Sequence, residues 1–258
     1  MLVATHRPES EVPSDDFHLP VHVGHALDPV ATGHQPDDVG DNISHLNRSY
    51  CELTALYWAW KNLDSDVVGL SHYRRYFRGS HPGPAGKGIL SRDEATALLA
   101  SHDLVLPRPR NYYVETIESH YRNGHHGRDL DILRDVVADL SAAYLPAYDR
   151  VFGGRRLSLY NMLLTRRDVL DAYAAWLFPL LAATSARIGD QGERTDYQQR
   201  TVGYLGERLL NVWATHHGTD LRIAHRSVVN TQGEPRLRKA AGLVRRKVGA
   251  YDPASRTR

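Results

Sequence analysis

Leu2-Val3-Ala4-Thr5-His6 is a short apolar run with the character of a buried strand, and after a Pro-rich turn Val21-His22-Val23-Gly24 repeats the pattern. From Ala26 to Ser44 the sequence is polar and rich in Asp, Gly and Pro, which predicts a long loop. Loops of that length in compact domains are usually functional or disordered. Leu53, Leu56, Tyr57 and Trp60 then recur at helical spacing and predict one helix from Ser49 to Lys61, with Ser49 and Glu52 at capping-box separation. Val67-Val68-Gly69-Leu70-Ser71 is continuously apolar rather than alternating, as in a strand of a parallel sheet covered on both faces. It runs directly into His72-Tyr73-Arg74-Arg75-Tyr76-Phe77.

Further along, Gly79 to Gly88 reads as a mobile Gly/Pro-rich loop, Ser91 as the cap of a helix through Ala100, and Leu104-Val105-Leu106 as a strand ended by Pro107. Val114 to Tyr144 is helical in pattern, with a break near Asn123-Gly124-His125-His126-Gly127. Leu157 to Leu164 reads as one strand, and Asp168 to Leu181 and Asp196 to Thr215 as helices. Strand and helix alternate in the first half and helices dominate the second. The expected fold class is therefore α/β, with a mostly parallel central sheet and a helix-rich C-terminal half.

Composition narrows the function classes. A length of 258 residues fits one α/β domain or two small ones. The single cysteine, Cys51, excludes an intrachain disulfide framework, and its aromatic helical surroundings suit a buried structural thiol better than a nucleophile. A net charge of +2 gives the body no strongly basic surface, so nucleic acid is not an expected partner. The 15 histidines contain no HExxH or Cys/His finger spacing. The N-terminal residues lack the apolar run of a signal peptide, and no apolar stretch of membrane-spanning length is apparent. A cytoplasmic location is the expectation.

Ligands of open α/β sheets bind beyond the carboxyl ends of the strands. The segment from His72 to Arg75 leaves such an end, and its two guanidinium groups could hold a diphosphate with fork geometry, or could be surface residues after a strand. Asp64-Ser65-Asp66 precedes the same strand, at the opposite end, and reads as a turn rather than a metal site. His125, His126 and Asp129 could supply a base or bind hydroxyls, or could cap a helix. Arg200, Glu207 and Arg208 share a helix in which Glu207 sits among apolar residues; burial of that kind raises a carboxyl pKa and suits a general base, with a structural ion pair as the alternative. Asn161 alone carries no weight.

Three blocks together, Asp41-Asn42-Ile43-Ser44, Tyr50 to Asn62 and Gly69 to Phe77, resemble a bacterial family known as a domain of unknown function and associated with capsular or exopolysaccharide synthesis. Tyr160-Asn161-Met162, Trp176-Leu177-Phe178 and Gly203 to Trp213 extend the resemblance, in order, over roughly residues 2 to 215. Ser71 stands where the family more often has Cys, a small-for-small change expected to be neutral. The resemblance implies a GT-A-like glycosyltransferase domain that binds a nucleotide sugar. Some members resemble galactofuranosyltransferases that use UDP-galactofuranose without the metal-binding Asp-x-Asp motif. On this reading His6, Asn42, His72, Tyr73, Arg74 and Arg75 bind the donor, Glu207, His126 and Asp129 are the catalytic candidates, and Asn161 and Arg208 face the acceptor. No metal and no cofactor are expected. The partners would be a UDP-sugar and a glycan or lipid-linked glycan, and the reaction an inverting transfer. The alternative is a sugar-nucleotide or glycan-binding module without turnover. The expected domain spans residues 1 to 215, and residues 216 to 258 form an extension. Within it, Arg236 to Lys247 sets six cations beside Leu237, Ala240, Ala241, Leu243 and Val244. That is the pattern of a helix lying on an anionic membrane, or of a solvated C-terminus.

Overall fold

In the computed structural model, which describes residues 1–6 and 11–232, the first apolar run lies inside a sheet as β1 (Leu2–Thr5). There follow β2 (Leu19–His22), β3 (Gln35–Pro36), α1 (Asn47–Tyr50), α2 (Leu53–Asn62), β4 (Val67–His72), β5 (Arg75–Pro82) and β6 (Gly88–Ile89). The middle of the chain forms α3 (Arg92–Ser101), β7 (Leu104–Pro107), β8 (Arg110–Asn111), α4 (Ile117–Gly124), α5 (Gly127–Ser141), α6 (Leu145–Gly153) and β9 (Arg156–Leu157). The remainder is β10 (Leu163–Arg166), α7 (Arg167–Ile188), α8 (Asp196–Gln199), α9 (Thr201–His216), β11 (Ile223–Arg226) and β12 (Val228–Asn230).

The sheet runs in the order β11-β7-β10-β4-β1-β2-β3. Its neighbours are parallel except around β10, which is antiparallel to both β4 and β7. The fold is thus α/β with a mostly parallel central sheet, as the alternation of patterns implied. Pleating sends successive residues to opposite faces. Leu104 and Leu106 of β7 and Leu163 of β10 enter the main core under the helices, whereas Val105 and Leu164 enter a second cluster with Leu90, Ala95 and Leu99 against α3. Ser91 caps α3 with a complete capping box, its side chain accepting from Glu94 N–H while Glu94 accepts from Ser91 N–H.

Several local expectations need correction. The helix expected from Ser49 is broken at Cys51, whose φ of 54° lies in the left-handed region. Ser49 and Glu52 do not form a capping box; Ser49 Oγ accepts from Val202 N–H (3.4 Å) and Glu52 accepts from Asn161. The strand expected from Leu157 to Leu164 is interrupted by a turn at Tyr160 and Asn161. The loop from Gly79 to Gly88 is a hairpin arm of β5 and β6, drawn together because a Cβ at Gly88 would lie 2.3 Å from the carbonyl oxygen of Gly79. The helix expected from Asp196 divides at Arg200 into α8 and α9. With 22 residues, α7 is long and apolar enough to span a membrane by length and composition. Leu170, Tyr173, Ala174, Leu177 and Leu181 are buried in the main core, so it packs as a core helix.

The boundary expected at residue 215 falls within α9. β11 extends the sheet beside β7, and β12 pairs with β5, so the segment after α9 belongs to the domain. The basic segment Arg236 to Lys247 lies outside the described residues. What fastens β11 is Asp103, 6% exposed, whose carboxylate accepts from Arg222 backbone N–H (2.8 Å), from Arg222 Nη2 (2.9 Å) and from Arg166 Nη1 (2.7 Å). These hydrogen bonds from Arg222 and Arg166 hold the Asp103 carboxyl well below the usual carboxylate range. A depressed carboxyl pKa stabilises the fold above the unfolded-state value, and that stabilisation is lost as pH falls toward the folded-state value. Asp103→Ala should cost about 1.5–3 kcal/mol, the range for hydrogen bonds to charged groups, read from urea unfolding at pH 7. The difference between wild type and variant should shrink below about pH 4, the ordinary aspartate range. An unchanged midpoint at pH 7 would show that β11 is held otherwise.

Candidate functional site

β4 delivers its carboxyl end into a tight turn. His72 and Arg75 face each other across the β4–β5 hairpin, and Tyr73 N–H donates to Ala4 O at 3.0 Å, fixing the turn beside the end of β1. Tyr73 and Arg74 stand at its tip. A cavity of about 800 Å³ opens over this strand end. It is lined by His6 after β1, by Arg48, Cys51 and Glu52 at the α1–α2 junction, by His72, Tyr73, Arg74 and Arg75, by Tyr160 and Asn161, and by Asp196, Arg200, Gly203, Tyr204 and Glu207 of α8 and α9. Four guanidinium groups therefore share the cavity with three carboxylates. Asp64-Ser65-Asp66 lies before β4, away from this end.

The floor is built around a strained turn. Tyr160 and Asn161 have φ of 78° and 52°, a region that costs non-glycine residues about 1–2 kcal/mol each. Both are held by side chains from other elements. Tyr160 N–H donates to Glu207 Oε1, and its carbonyl oxygen accepts from His72 Nε2 at 2.7 Å, which places the imidazole proton on Nε2. Asn161 Nδ2 donates to Glu52 Oε1 (2.7 Å) and to Gly203 O (3.0 Å). Arg75 lies 4.3 Å from the Tyr160 ring centroid, a cation–π contact that ties the turn to the hairpin. At Gly203 a Cβ would stand 3.0 Å from Cys51 Sγ, so a larger side chain there would push α9 away from the α1–α2 junction.

Burial sets the protonation of this floor. The Glu207 carboxyl is pushed above the ordinary glutamate value by burial, opposed by Arg208 at 3.6 Å and by the Tyr160 hydrogen bond. Burial lowers the His72 imidazole, partly offset by Glu52 at 4.0 Å, and leaves it a neutral hydrogen-bond donor. The Cys51 thiol is pushed up to about 11, burial and Glu52 outweighing Arg200, whose Nε lies 3.2 Å from the sulfur.

Of the residues expected from the sequence, His6, His72, Tyr73, Arg74, Arg75, Asn161, Arg200 and Glu207 line the cavity. The others do not. Asp129 is 1% exposed and held by Arg194 through two bonds of 2.7 and 2.9 Å, with no oxygen turned to the cavity. His126 is the exposed N-cap residue of α5. Asn42 Nδ2 donates to Asp38 O and Gly40 O within its own loop. Arg208, 2% exposed, donates to Tyr204 O (2.7 Å) and lies 4.8 Å over the Tyr121 ring, beneath the floor. His125 is packed between Tyr121 and Tyr204, and burial, reinforced by Arg208, lowers it to about 3. Catalytic or acceptor contacts by these side chains therefore require a different arrangement from the one seen. Glu52, Arg48, Asp196 and Tyr160 were missed. Glu52 was absorbed into a capping interpretation, although an acid within the aromatic run from Tyr50 to Trp60 was a visible signal.

Among the described residues, Asp15, His18 and His81 form a group with metal-ligand chemistry, with ligating atoms within 4.8 Å of one another. They lie outside the cavity. Asp15 Oδ1 already accepts from Phe17 and His18 N–H, and its carboxylate contacts both imidazoles at 3.1 and 3.2 Å.

A mostly parallel sheet with helices on its faces, and a cavity at the carboxyl ends of β1 and β4, define an α/β domain of GT-A-like fold. Residues 1–218 match the family described as a domain of unknown function (DUF4422), and the chain belongs to that family. Its structure is similar to the apo structure of WbbM, a bifunctional glycosyltransferase, with a TM-score of 0.79 and 26% identity over 90% of this chain. The chain spans 45% of the length of that protein. No curated protein matches it.

The raised thiol pKa has a direct consequence. At pH 8 Cys51 should react with Ellman's reagent at least about tenfold more slowly in the folded chain than in the unfolded one, because the thiolate is the reacting species. Equal rates would contradict a raised thiol pKa in the folded chain.

Proposed function

We propose that the chain is a glycosyltransferase of cell-surface polysaccharide synthesis, transferring a sugar from a UDP-sugar, with galactofuranose as the favoured sugar, to a glycan acceptor. The observation that carries this reading is the meeting, in one cavity, of the Arg74–Arg75 turn at the end of β4 with Glu207, whose carboxyl burial makes more basic than an ordinary glutamate. The acceptor hydroxyl loses its proton to Glu207, and its oxygen attacks the anomeric carbon from the side opposite the diphosphate. The bond from that carbon to the β-phosphate oxygen breaks, and UDP leaves with the electron pair and inversion at the carbon. Arg74 and Arg75 stabilise the departing diphosphate, with positioning and fixed charge supplying most of the acceleration. Glu52 is bound to Asn161 and close to His72, so its role is to position the floor. A divalent cation requires oxygen ligands, and the strand end presents cations, so the transfer is proposed to be metal-independent. A binding module without turnover would bind UDP-sugars and release no UDP.

Incubation with a panel of UDP-sugars, followed by UDP release, tests this reading. Arg74→Ala and Arg75→Ala should each lower turnover at least about tenfold with folding intact, since a charge-assisted contact is worth about 1.5–3 kcal/mol and about 1.4 kcal/mol is tenfold in rate. Glu207→Gln keeps an acceptor for Tyr160 N–H and should be folded and inactive. The wild-type rate should fall on the acid side with an apparent pKa above the ordinary glutamate value, because the base must be ionised. Wild-type rates in both arginine variants, or activity abolished by EDTA and restored by Mn²⁺, would overturn the assignment.

The acceptor is proposed to be lipid-linked and the enzyme to work at the cytoplasmic face of the membrane, with the segment Arg236 to Lys247 as the contact. The full chain should co-sediment with phosphatidylglycerol vesicles at low salt and a chain ending at Glu234 should not. Equal sedimentation of the two would remove the membrane role of the tail.

A further inference from the structure

On the other side of Arg75 and Tyr160 lies a second cavity of about 610 Å³. Arg75, Arg78, Lys87, Arg108 and Arg110 project into it from the β4–β5 turn, the hairpin arm and the β7–β8 link, and its lining holds no carboxylate. Its apolar wall is Leu159, Val228 and Val229, with β12 kept in place by pairing with β5. Among the described residues none of these five cations forms an ion pair, whereas Arg122, Arg166, Arg194 and Arg222 all do. Arg75 Nε is buried without a hydrogen-bond partner at the wall between the two cavities. Five like charges converging on one groove raise its potential and favour a multiply charged anion over a single carboxylate. The guanidinium fork matches phosphate oxygens.

We propose that this groove binds a diphosphate group carried by the acceptor, with Leu159, Val228 and Val229 taking the apolar part next to it. The assignment rests on the donor reading of the first cavity, because the shared wall of Arg75 and Tyr160 then sets the acceptor beside the sugar to be transferred. Arg78 and Arg108 are exposed, belong to this groove alone and have no part in the donor cavity, so they can be changed without disturbing it.

The test is calorimetric titration of inorganic pyrophosphate into the full chain saturated with UDP. The wild type should bind, and Arg78→Gln/Arg108→Gln should weaken binding at least about tenfold while UDP affinity stays within about twofold and thermal unfolding is unchanged. Absence of pyrophosphate binding in the UDP-saturated wild type, or equal binding by the double variant, would overturn the proposal. Phosphatidylglycerol vesicles form a second arm. Vesicle binding that depends on Arg78 and Arg108 in a protein that takes up no pyrophosphate makes the groove a membrane contact and also overturns it. If UDP itself fails to bind, the donor reading falls separately. Pyrophosphate is then titrated into the ligand-free chain, where Arg78→Gln/Arg108→Gln should abolish binding and Arg48→Gln/Arg200→Gln should leave it. The opposite pattern removes the groove.

Discussion

Two adjacent residues, Tyr160 and Asn161, occupy left-handed backbone without being glycine, and the site depends on what holds them there. The strain is about 1–2 kcal/mol for each residue. It is offset by hydrogen bonds donated to Glu207 of α9 and to Glu52 at the start of α2 and one accepted from His72 of β4, of which those made to charged groups contribute about 1.5–3 kcal/mol each. The turn in exchange fixes the rotamers of two acids and one imidazole and sets the Tyr160 ring against Arg75. Helix, strand and loop are thereby locked into one arrangement, and the cavity has a rigid floor before any ligand arrives.

Sheet order explains why these elements meet. β10 lies antiparallel between β4 and β7. The residues that precede β10 therefore lie beside the carboxyl end of β4, and Tyr160 arrives at the hairpin from which Arg74 and Arg75 project. A parallel strand in that position would have presented its following residues there instead.

Much of the scaffold was legible because it obeys local rules. β4 reads as a continuous apolar run, α3 announces itself through Ser91 and Glu94, and β7 stops at Pro107. The cavity members of the His72-to-Arg75 segment followed from a topological rule about strand ends. What escaped was set by tertiary hydrogen bonds that outcompete local ones. Ser49 and Glu52 have capping-box spacing, yet Val202 and Asn161 claim their side chains and the helix breaks at Cys51. Asp129 has the residue type of a catalytic acid, but its partner Arg194 is 65 residues away in sequence. Periodicity carries no information about such a distance.

The family match ends at residue 218, whereas β11 begins at Ile223 and covers the outer edge of β7. Leu104, Val105 and Leu106 would otherwise present unpaired N–H and C=O groups on an apolar strand, a template for a second chain. β11 replaces that edge with a four-residue strand bearing His225 and Arg226, too short and too charged to recruit a neighbour readily. Among the described residues, the stretch just past the family boundary is what covers the apolar edge of β7, and a chain ending at residue 218 would leave that edge bare.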